Sequence, residues 1–142
     1  MERTNTKVFS TRSGWAGVVA TEKGVVQIVL PRKNRQGVER EIGSAERGTR
    51  GVEKMHAADP KFLTNIVKLL KRYLSGKSVS FDLPLDLRYY TPFQRAVWKA
   101  AASIPFGETR SYAWIATRIG RPKAARAVGQ AMGANPVPIL IP

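Results

Sequence analysis

Residues that start and end helices alternate through the last third of the sequence, which leaves room there only for short helices. Ser111 is a good N-cap, Gly120 ends the helix that follows it, and Pro122 suits the first turn of another helix. The spacing predicts helices over residues 112–119 and about 123–132, joined by a tight turn. Two short helices joined in this way form a helix-turn-helix, a common DNA-binding arrangement.

A further helix is predicted just before this motif. Thr91 and Gln94 have the spacing of a capping box, in which each side chain bonds the backbone of the other residue. Apolar residues then recur at helical spacing up to a break at residues 105–107: Phe93, Val97, Trp98, Ala101 and Ile104. The sequence therefore predicts an all-α, winged-helix-like lobe over residues 88–142.

The N-terminal part has the pattern of a small β-sheet. Three segments rich in β-branched residues are predicted strands: residues 7–12, 15–20 and 24–30. Residues 31–56 are basic and contain several glycines, and we expect a long mobile loop there with at most a short helix.

A helix and an extended linker complete this lobe. Asp59 can cap a helix that ends at Gly76, and prolines favour an extended chain over residues 80–87. The lobe is predicted to span residues 1–87, and the fold class is α+β.

The charge indicates a polyanionic partner. The 142 residues contain 24 Lys and Arg against 10 Asp and Glu, a formal net charge of +14. From residue 88 onward the only acid is Glu108, beside eight basic residues: Arg88, Arg95, Lys99, Arg110, Arg118, Arg121, Lys123 and Arg126. We expect salt-dependent binding to nucleic acid and no binding to membranes, because no predicted helix is both strongly basic and apolar on one face.

The residue inventory favours a binding protein over an enzyme. There is no cysteine, and the one histidine, His56, lies in a polar stretch without a nucleophile motif. Thiol nucleophiles, disulfides and thiolate metal sites are therefore excluded from these residues, and we expect no metal and no cofactor. The sequence has no long apolar run and no signal-peptide pattern at its start, so the expected location is cytoplasmic.

The second motif helix has unusually small side chains around a single long cation, Arg126. A face of alanine and glycine can approach either the floor of a DNA groove or a neighbouring helix, and the sequence leaves both open. The pattern alone favours a phosphate contact for Arg126, with a base-edge contact or insertion into the base stack as alternatives.

Several segments in order resemble the O6-alkylguanine-DNA alkyltransferases, also called methylated-DNA–protein-cysteine methyltransferases. They are residues 91–94, 97–98, 104–109, 111–112, 115–116, 124–129 and 135–142. The resemblance runs almost without gaps from about residue 73 to 142. The N-terminal strands and helix are compatible with the family's ribonuclease-H-like lobe.

The resemblance implies double-stranded DNA containing O6-alkylguanine as the partner, bound in the minor groove by a monomer that flips the guanine out. Arg126 matches the arginine that fills the gap in the stack, and Tyr112 matches the tyrosine that crowds the 3′ phosphate. The small residues match the groove-facing surface: Ala124, Ala125, Ala127 and Gly129. Three basic residues are further predicted DNA contacts: Lys123, Arg95 and Arg118. Asn135 matches the residue that braces the turn toward the active site, and Pro138 matches one in the wall of the base pocket.

One departure from the family bears on chemistry. In the family the apolar run leads into a cysteine, a histidine and an arginine, and the cysteine thiolate takes the alkyl group in one irreversible turnover. None of these follows Pro142 in the sequence. We expect a chain truncated just before this motif, with no alkyl transfer of its own, a partly uncovered strand over residues 137–141 and modest stability.

Other functions stay open on the sequence. A non-catalytic lesion sensor of the alkyltransferase-like kind would share the same DNA-binding residues. A helix-turn-helix transcription regulator would read the major groove, although the alanine-rich helix has few base-reading side chains. An RNA-binding or ribosomal function is supported by charge alone.

Overall fold

The computed structural model describes residues 6–48, 58–88, 90–105 and 107–139, with only the backbone described over 43–48. The chain divides into two compact units, residues 1–89 and 90–142. The elements are β1 (Thr6–Thr11), β2 (Gly14–Thr21), β3 (Gly24–Arg32), α1 (Arg35–Gly48), α2 (Pro60–Leu74), α3 (Pro92–Ala102), α4 (Tyr112–Arg118) and α5 (Ala125–Gly133). This mixture confirms the predicted α+β class. His56 lies outside the described residues.

The sheet of the N-terminal unit is antiparallel, with strand order β1-β2-β3. Val8 pairs with Gly17, and Val18 pairs with Ile28. The three strands were predicted to within two residues at each end, because each carries a run of β-branched residues bounded by a turn.

The predicted loop over residues 31–56 is wrong where the structure describes α1. Val38 and Ile42 lie one helical turn apart, and both are buried against valines of the sheet. The sheet comes very close to them at Gly17, where a Cβ atom would lie 2.6 Å from Cγ1 of Val38. Two buried side chains at helical spacing outweigh the polar composition that suggested a loop. Residues 49–57 lie outside the described residues.

Helix α2 begins as predicted. The Asp59 carboxylate accepts a hydrogen bond from the backbone N–H of Lys61 at 2.8 Å, and Pro60 occupies the first turn. One side of the helix is buried through Leu63, Ile66 and Leu70, and it packs on β1 and β2.

The predicted extended linker forms part of the N-terminal unit. Leu85 makes a parallel bridge with Val25 at the start of β3. The N–H of Val25 donates to the carbonyl of Pro84 at 2.9 Å, and the N–H of Asp86 donates to the carbonyl of Val25 at 2.8 Å. Residues 84–86 therefore add a short extended segment to the β2–β3 hairpin.

Asp86 fixes the end of this segment. Its side chain is buried, and it accepts hydrogen bonds from the Thr21 hydroxyl and from Nε (2.7 Å) and Nη2 (2.6 Å) of Arg88. Burial alone would raise the pKa of the Asp86 carboxyl, but the hydrogen bonds from Arg88 and Thr21 outweigh burial and lower this pKa. Asp86 is therefore a buried carboxylate in its ionised form.

The C-terminal unit packs three helices around Trp98. Its ring is fully buried, and its indole N–H donates to the carbonyl of Ala131 in α5 at 2.8 Å. The Tyr90 ring meets it edge-on with 5.0 Å between centroids. Other buried residues of the unit come from all three helices: Val97, Ala101, Ile115, Ala116, Val128 and Ala131.

The helix boundaries of this unit largely follow the prediction. The capping box at Thr91 and Gln94 is present, and Gly120, with φ +80°, follows the end of α4. Helix α5 begins two residues later than predicted, because the N–H of Ala124 donates to the carbonyl of Arg121 and closes a turn there.

The predicted strand over residues 137–141 is wrong for its described part. The Asn135 side chain accepts a hydrogen bond from the N–H of Val137 at 2.9 Å, and residues 138 and 139 form a turn in which Ile139 has φ +81°. A β-branched residue at positive φ is strained and reverses the chain. Val137 is fully buried, so the expected uncovering of this segment is wrong at that residue. The remaining residues, 140–142, lie outside the described part, and between residues 90 and 139 the described segments contain no strand that could form a wing.

Candidate nucleic-acid interface

Helix α5 has one buried and one exposed face. Val128 and Ala131 are buried. Arg126, Gln130 and Gly133 form the exposed face at helical spacing, and Lys123 is exposed in the turn just before the helix. The predicted groove-facing residues lie between the two faces and are half-buried: Ala124, Ala125, Ala127 and Gly129. These small residues therefore lie at the edge of the core, and few side-chain atoms project from this side of α5.

Tyr112, the first residue of α4, packs its ring against α5. The Ser111 hydroxyl caps α4 by accepting from the N–H of Trp114 at 3.0 Å, which fixes Tyr112 as the first helical residue. Its ring is 51% exposed. A Cβ atom built on Gly129 would lie 3.1 Å from Cε2 and 3.2 Å from Cδ2 of that ring. The absence of a side chain at Gly129 thus lets the Tyr112 ring lie directly against the α5 backbone.

Arg126 lies in the first turn of α5, and no acidic side chain among the described residues pairs with its charge. Ala124, at the N-cap, has no side chain that could cap the helix. Among the described residues, Arg126 has no ion-pair or hydrogen-bond partner, and it is exposed. The N-terminus of a helix carries partial positive charge, so a cation there is stabilised when an anion joins it. This end of α5 is suited to a negatively charged ligand.

Two further arginines stack on an aromatic ring. The guanidinium carbons of Arg110 and Arg118 lie 5.5 Å and 5.6 Å from the centroid of the Trp114 ring. Arg110 also pairs with Glu108 at 2.9 Å. The i, i+4 spacing of Arg110, Trp114 and Arg118 was a signal in the sequence, but the prediction used only the charges of the two arginines and not their spacing around the ring.

Arg118 also lines an open cleft between α3 and α4. This cleft has a volume of about 290 Å³, and Lys99 and Ser103 contribute to its lining. Arg95 is exposed on α3, and no described contact joins it to Tyr112 or Arg126. The predicted DNA contacts therefore comprise a group at α4 and α5 and one separate cation, Arg95, on α3.

Asn135 and Pro138 lie after α5, in the turn described above. Both are half-buried, and the Asn135 carbonyl oxygen holds the backbone of Val137. The described residues contain no group of three His, Cys, Asp or Glu side chains that could bind a metal ion. None of the described helices is long and apolar enough to cross a membrane.

Comparisons of the sequence and of the structure with known proteins point to the same group of methyltransferases. Residues 92–142 match the family model described as the DNA-binding domain of 6-O-methylguanine DNA methyltransferase. The methylated-DNA–protein-cysteine methyltransferase of Mycobacterium tuberculosis is 52% identical over 84 residues, which cover 59% of this chain and 50% of that protein. The chain thus spans about half the length of the curated relatives that it matches.

The structural similarity extends over both units. The crystal structure of Mycobacterium tuberculosis O6-methylguanine methyltransferase matches with a TM-score of 0.67 and 33% identity, covering 97% of this chain and 74% of that one. A structure of Mycobacterium tuberculosis OGT in complex with DNA matches with a TM-score of 0.65 and 34% identity, covering 96% of this chain and 74% of that one.

Proposed function

Since the chain belongs to the O6-methylguanine DNA methyltransferase family, we propose that it takes part in DNA repair by binding duplex DNA in the minor groove and flipping O6-alkylguanine out of the stack. The proposed partner is double-stranded DNA with this lesion, bound by a monomer. In this proposal the C-terminal unit, which contains the helix-turn-helix, binds the DNA.

The contact of Tyr112 with Gly129 carries the proposal. The minor groove is about 6 Å wide, so a helix can approach its floor only with small side chains. On α5 the half-buried alanines and Gly129 give such a face, and the exposed Tyr112 ring lies beside it. A helix that read the major groove would need several base-reading side chains, and this face offers chiefly Arg126 and Gln130.

The proposed roles follow from position and charge. Tyr112 presses on the phosphate of the target nucleotide, and Arg126 enters the gap that the flipped base leaves. Phosphates on either side are held by cations: Lys123, Arg118 and Arg95. The flipped base lies against the turn after α5, which Asn135 braces and to which Pro138 contributes a wall.

The alkyl acceptor is a separate matter. The names of the curated relatives specify transfer to a protein cysteine, and these 142 residues contain none. We therefore expect this polypeptide to recognise the lesion without accepting its alkyl group. Recognition without transfer is also what a lesion sensor does, so a lesion sensor is the second function proposed.

Replacement of Arg126 by alanine tests the flipping role. We expect the preference for a duplex with one O6-methylguanine over the undamaged duplex to fall about tenfold, which corresponds to about 1.4 kcal/mol. The affinity for undamaged duplex should fall only about threefold, because one phosphate-attracting charge is lost. Fluorescence anisotropy with both duplexes gives the two affinities.

The matched control is Arg95→Ala, which removes the same charge from an exposed position on α3. It should weaken both duplexes equally, because a phosphate contact carries no information about the base. An unchanged lesion preference in the Arg126 variant would rule out insertion of Arg126. A wild-type chain with no lesion preference would overturn the proposed function itself.

Enlargement of Gly129 tests the contact with Tyr112. A leucine there should displace the ring and thicken the α5 face, and we expect duplex affinity to fall at least about tenfold, the cost of losing about 1.4 kcal/mol. Alanine should have a smaller effect, because its Cβ is only a few tenths of an ångström too close to a half-exposed ring that can move. Circular dichroism verifies that the variants are folded.

Gly133→Ala is the control, since a Cβ atom at Gly133 meets nothing within 4 Å. It should bind duplex DNA as the wild type does. Wild-type affinity in the Gly129→Leu variant would show that the close contact has no part in binding.

A further inference from the structure

More than half of the positive charge lies outside the unit with the helix-turn-helix. Residues 1–89 contain 17 basic and 9 acidic residues, a net charge of +8, whereas residues 90–142 contain 7 basic residues and one acid, a net charge of +6. The proposed DNA interface of the C-terminal unit therefore leaves the larger share of the charge unexplained.

Three of these 17 cations lie along one side of α2. Lys61, Asn65, Lys68 and Arg72 are exposed at i, i+4, i+7 and i+11 and are named here the α2 stripe. Residues 60–74 contain no acid. Within the described part of the chain, none of the three cations has a carboxylate within salt-bridge distance.

The neighbouring helix shows the opposite arrangement. In α1, Arg35 pairs with Glu39 at 2.9 Å, and Arg32 just before it pairs with Glu41 at 2.6 Å. Two cations at the start of α1 are thus paired with glutamates, although Arg40 has no such pair among the described residues, whereas no cation of the α2 stripe has a carboxylate partner there. The cations of the α2 stripe are therefore available to pair with an external anion.

The position of Lys61 supports this interpretation. It lies in the first turn of α2, and the Asp59 carboxylate at the N-cap accepts a hydrogen bond from the Lys61 backbone N–H but forms no ion pair with its ammonium group within the described residues. The side chains of Lys61, Asn65 and Lys68 also line a shallow groove of about 410 Å³.

Other polar groups of α2 are already engaged. The Thr64 hydroxyl donates to the carbonyl of Pro60 at 2.9 Å, and Lys71 lies over the Phe9 ring at 5.9 Å. The α2 stripe therefore offers three cations and the amide of Asn65. From Lys61 to Arg72 it extends about 16 Å, at 1.5 Å per residue, which matches roughly five nucleotides of one strand at 3.4 Å each.

We infer that the α2 stripe is a second DNA-binding surface, which contacts the phosphate backbone of a duplex without reading its sequence. Such contacts are made by Lys and Arg with side-chain amides as additional donors. Insertion into a membrane does not fit, because the apolar side of α2 is buried in the protein through Leu63, Ile66 and Leu70. The inference goes beyond the proposed function, since it places DNA contacts in the other unit.

The test compares two triple variants of the full chain. Lys61→Gln/Lys68→Gln/Arg72→Gln removes the cations of the α2 stripe. Lys7→Gln/Lys23→Gln/Lys33→Gln removes the same charge from exposed positions of the same unit. Affinity for an undamaged duplex is measured from low to high NaCl, and thermal unfolding verifies that both variants fold.

The slope of log affinity against log salt is negative. We expect its magnitude to decrease by about 2 to 3 in the α2 variant, near 0.9 for each lost phosphate contact. In the control variant the slope should fall by less than about 1, because only the long-range field changes. The preference for O6-methylguanine should be the same in the α2 variant as in the wild type. Equal losses in the two variants, or no loss in either, would overturn the inference.

Two further outcomes separate this inference from the proposed function. If the wild type prefers the lesion and the α2 variant binds like the wild type, only the inference fails. If the wild type binds no duplex, both fail. Vesicles of phosphatidylserine and phosphatidylcholine serve as a competing anionic surface. A variant that loses vesicle binding and keeps its duplex binding would assign the α2 stripe to lipid and overturn the inference.

Discussion

Replacement of Trp98 by alanine should destabilise the C-terminal unit by about 3 to 5 kcal/mol, the usual cost of deleting a large aromatic side chain from a core. The indole is fully buried and contacts the Tyr90 ring, and its N–H holds the carbonyl of Ala131. A unit of residues 90–142 has a small core, so a loss of this size is a large share of its total stability. We expect duplex binding to be lost together with the fold.

Trp98→Phe is the control for this prediction. It keeps most of the aromatic volume, and the Ala131 carbonyl retains a hydrogen bond from the N–H of Ala134 at 3.2 Å. The expected cost is therefore smaller, about 1 to 2 kcal/mol. Urea unfolding followed by circular dichroism gives both values. A change below about 1 kcal/mol in the alanine variant would mean that Trp98 is not the centre of this core.

Replacement of Asp86 by alanine should destabilise the N-terminal unit by about 2 to 4 kcal/mol. The substitution leaves the buried Thr21 hydroxyl without its acceptor and removes the closer of the two carboxylates that pair with the Arg88 guanidinium. Arg88 keeps some access to water, with 35% of its side chain exposed, so the cost stays below that of a fully buried charge.

The effect should depend on pH in a defined direction. The pKa of Asp86 is lowered in the folded protein, because the hydrogen bonds from Arg88 and Thr21 outweigh burial. Its contribution is therefore fully present above the unfolded pKa of about 3.9. It is lost as the pH falls through the lower, folded pKa. The difference in unfolding free energy between wild type and Asp86→Ala should be constant at neutral pH and shrink in strong acid.

Glu22→Ala is the matched control for Asp86. Its carboxylate also meets Arg88, but at 3.4 Å and with 35% of the side chain exposed. An exposed pair of this kind contributes about 0.2 to 1 kcal/mol. Equal losses in the two variants would show that burial and the Thr21 hydrogen bond have no part in the role of Asp86.

The elements that the sequence predicted well are those determined by neighbouring residues. The capping box at Thr91, the cap at Ser111 and the end of α4 before Gly120 each depend on contacts within a few positions. Helix α1 was missed because its apolar anchors, Val38 and Ile42, are only two residues in a polar segment. They determine a helix only when the sheet offers Gly17 as a place to pack.

In the candidate site, too, some features follow from neighbouring residues and others from tertiary packing. Arg126 could be singled out because it is a long cation among small residues of one helix. The contact of Tyr112 with Gly129 joins residues 17 positions apart, and no local pattern indicates it without the resemblance. The bond between Thr21 and Asp86 joins residues 65 positions apart. Such contacts depend on tertiary packing, so the sequence suggests the residues and the fold determines their partners.

The pairing of residues 84–86 with the start of β3 also bears on how such a protein can be assembled in evolution. These residues, with Asp86 and Arg88, are bonded to the β2–β3 hairpin, and the match to the DNA-binding family model begins only at residue 92. A gene fusion joined between these two points would leave every one of those bonds intact. Recombination at this point could therefore exchange the C-terminal unit without breaking the hydrogen bonds that join residues 84–86 to the sheet.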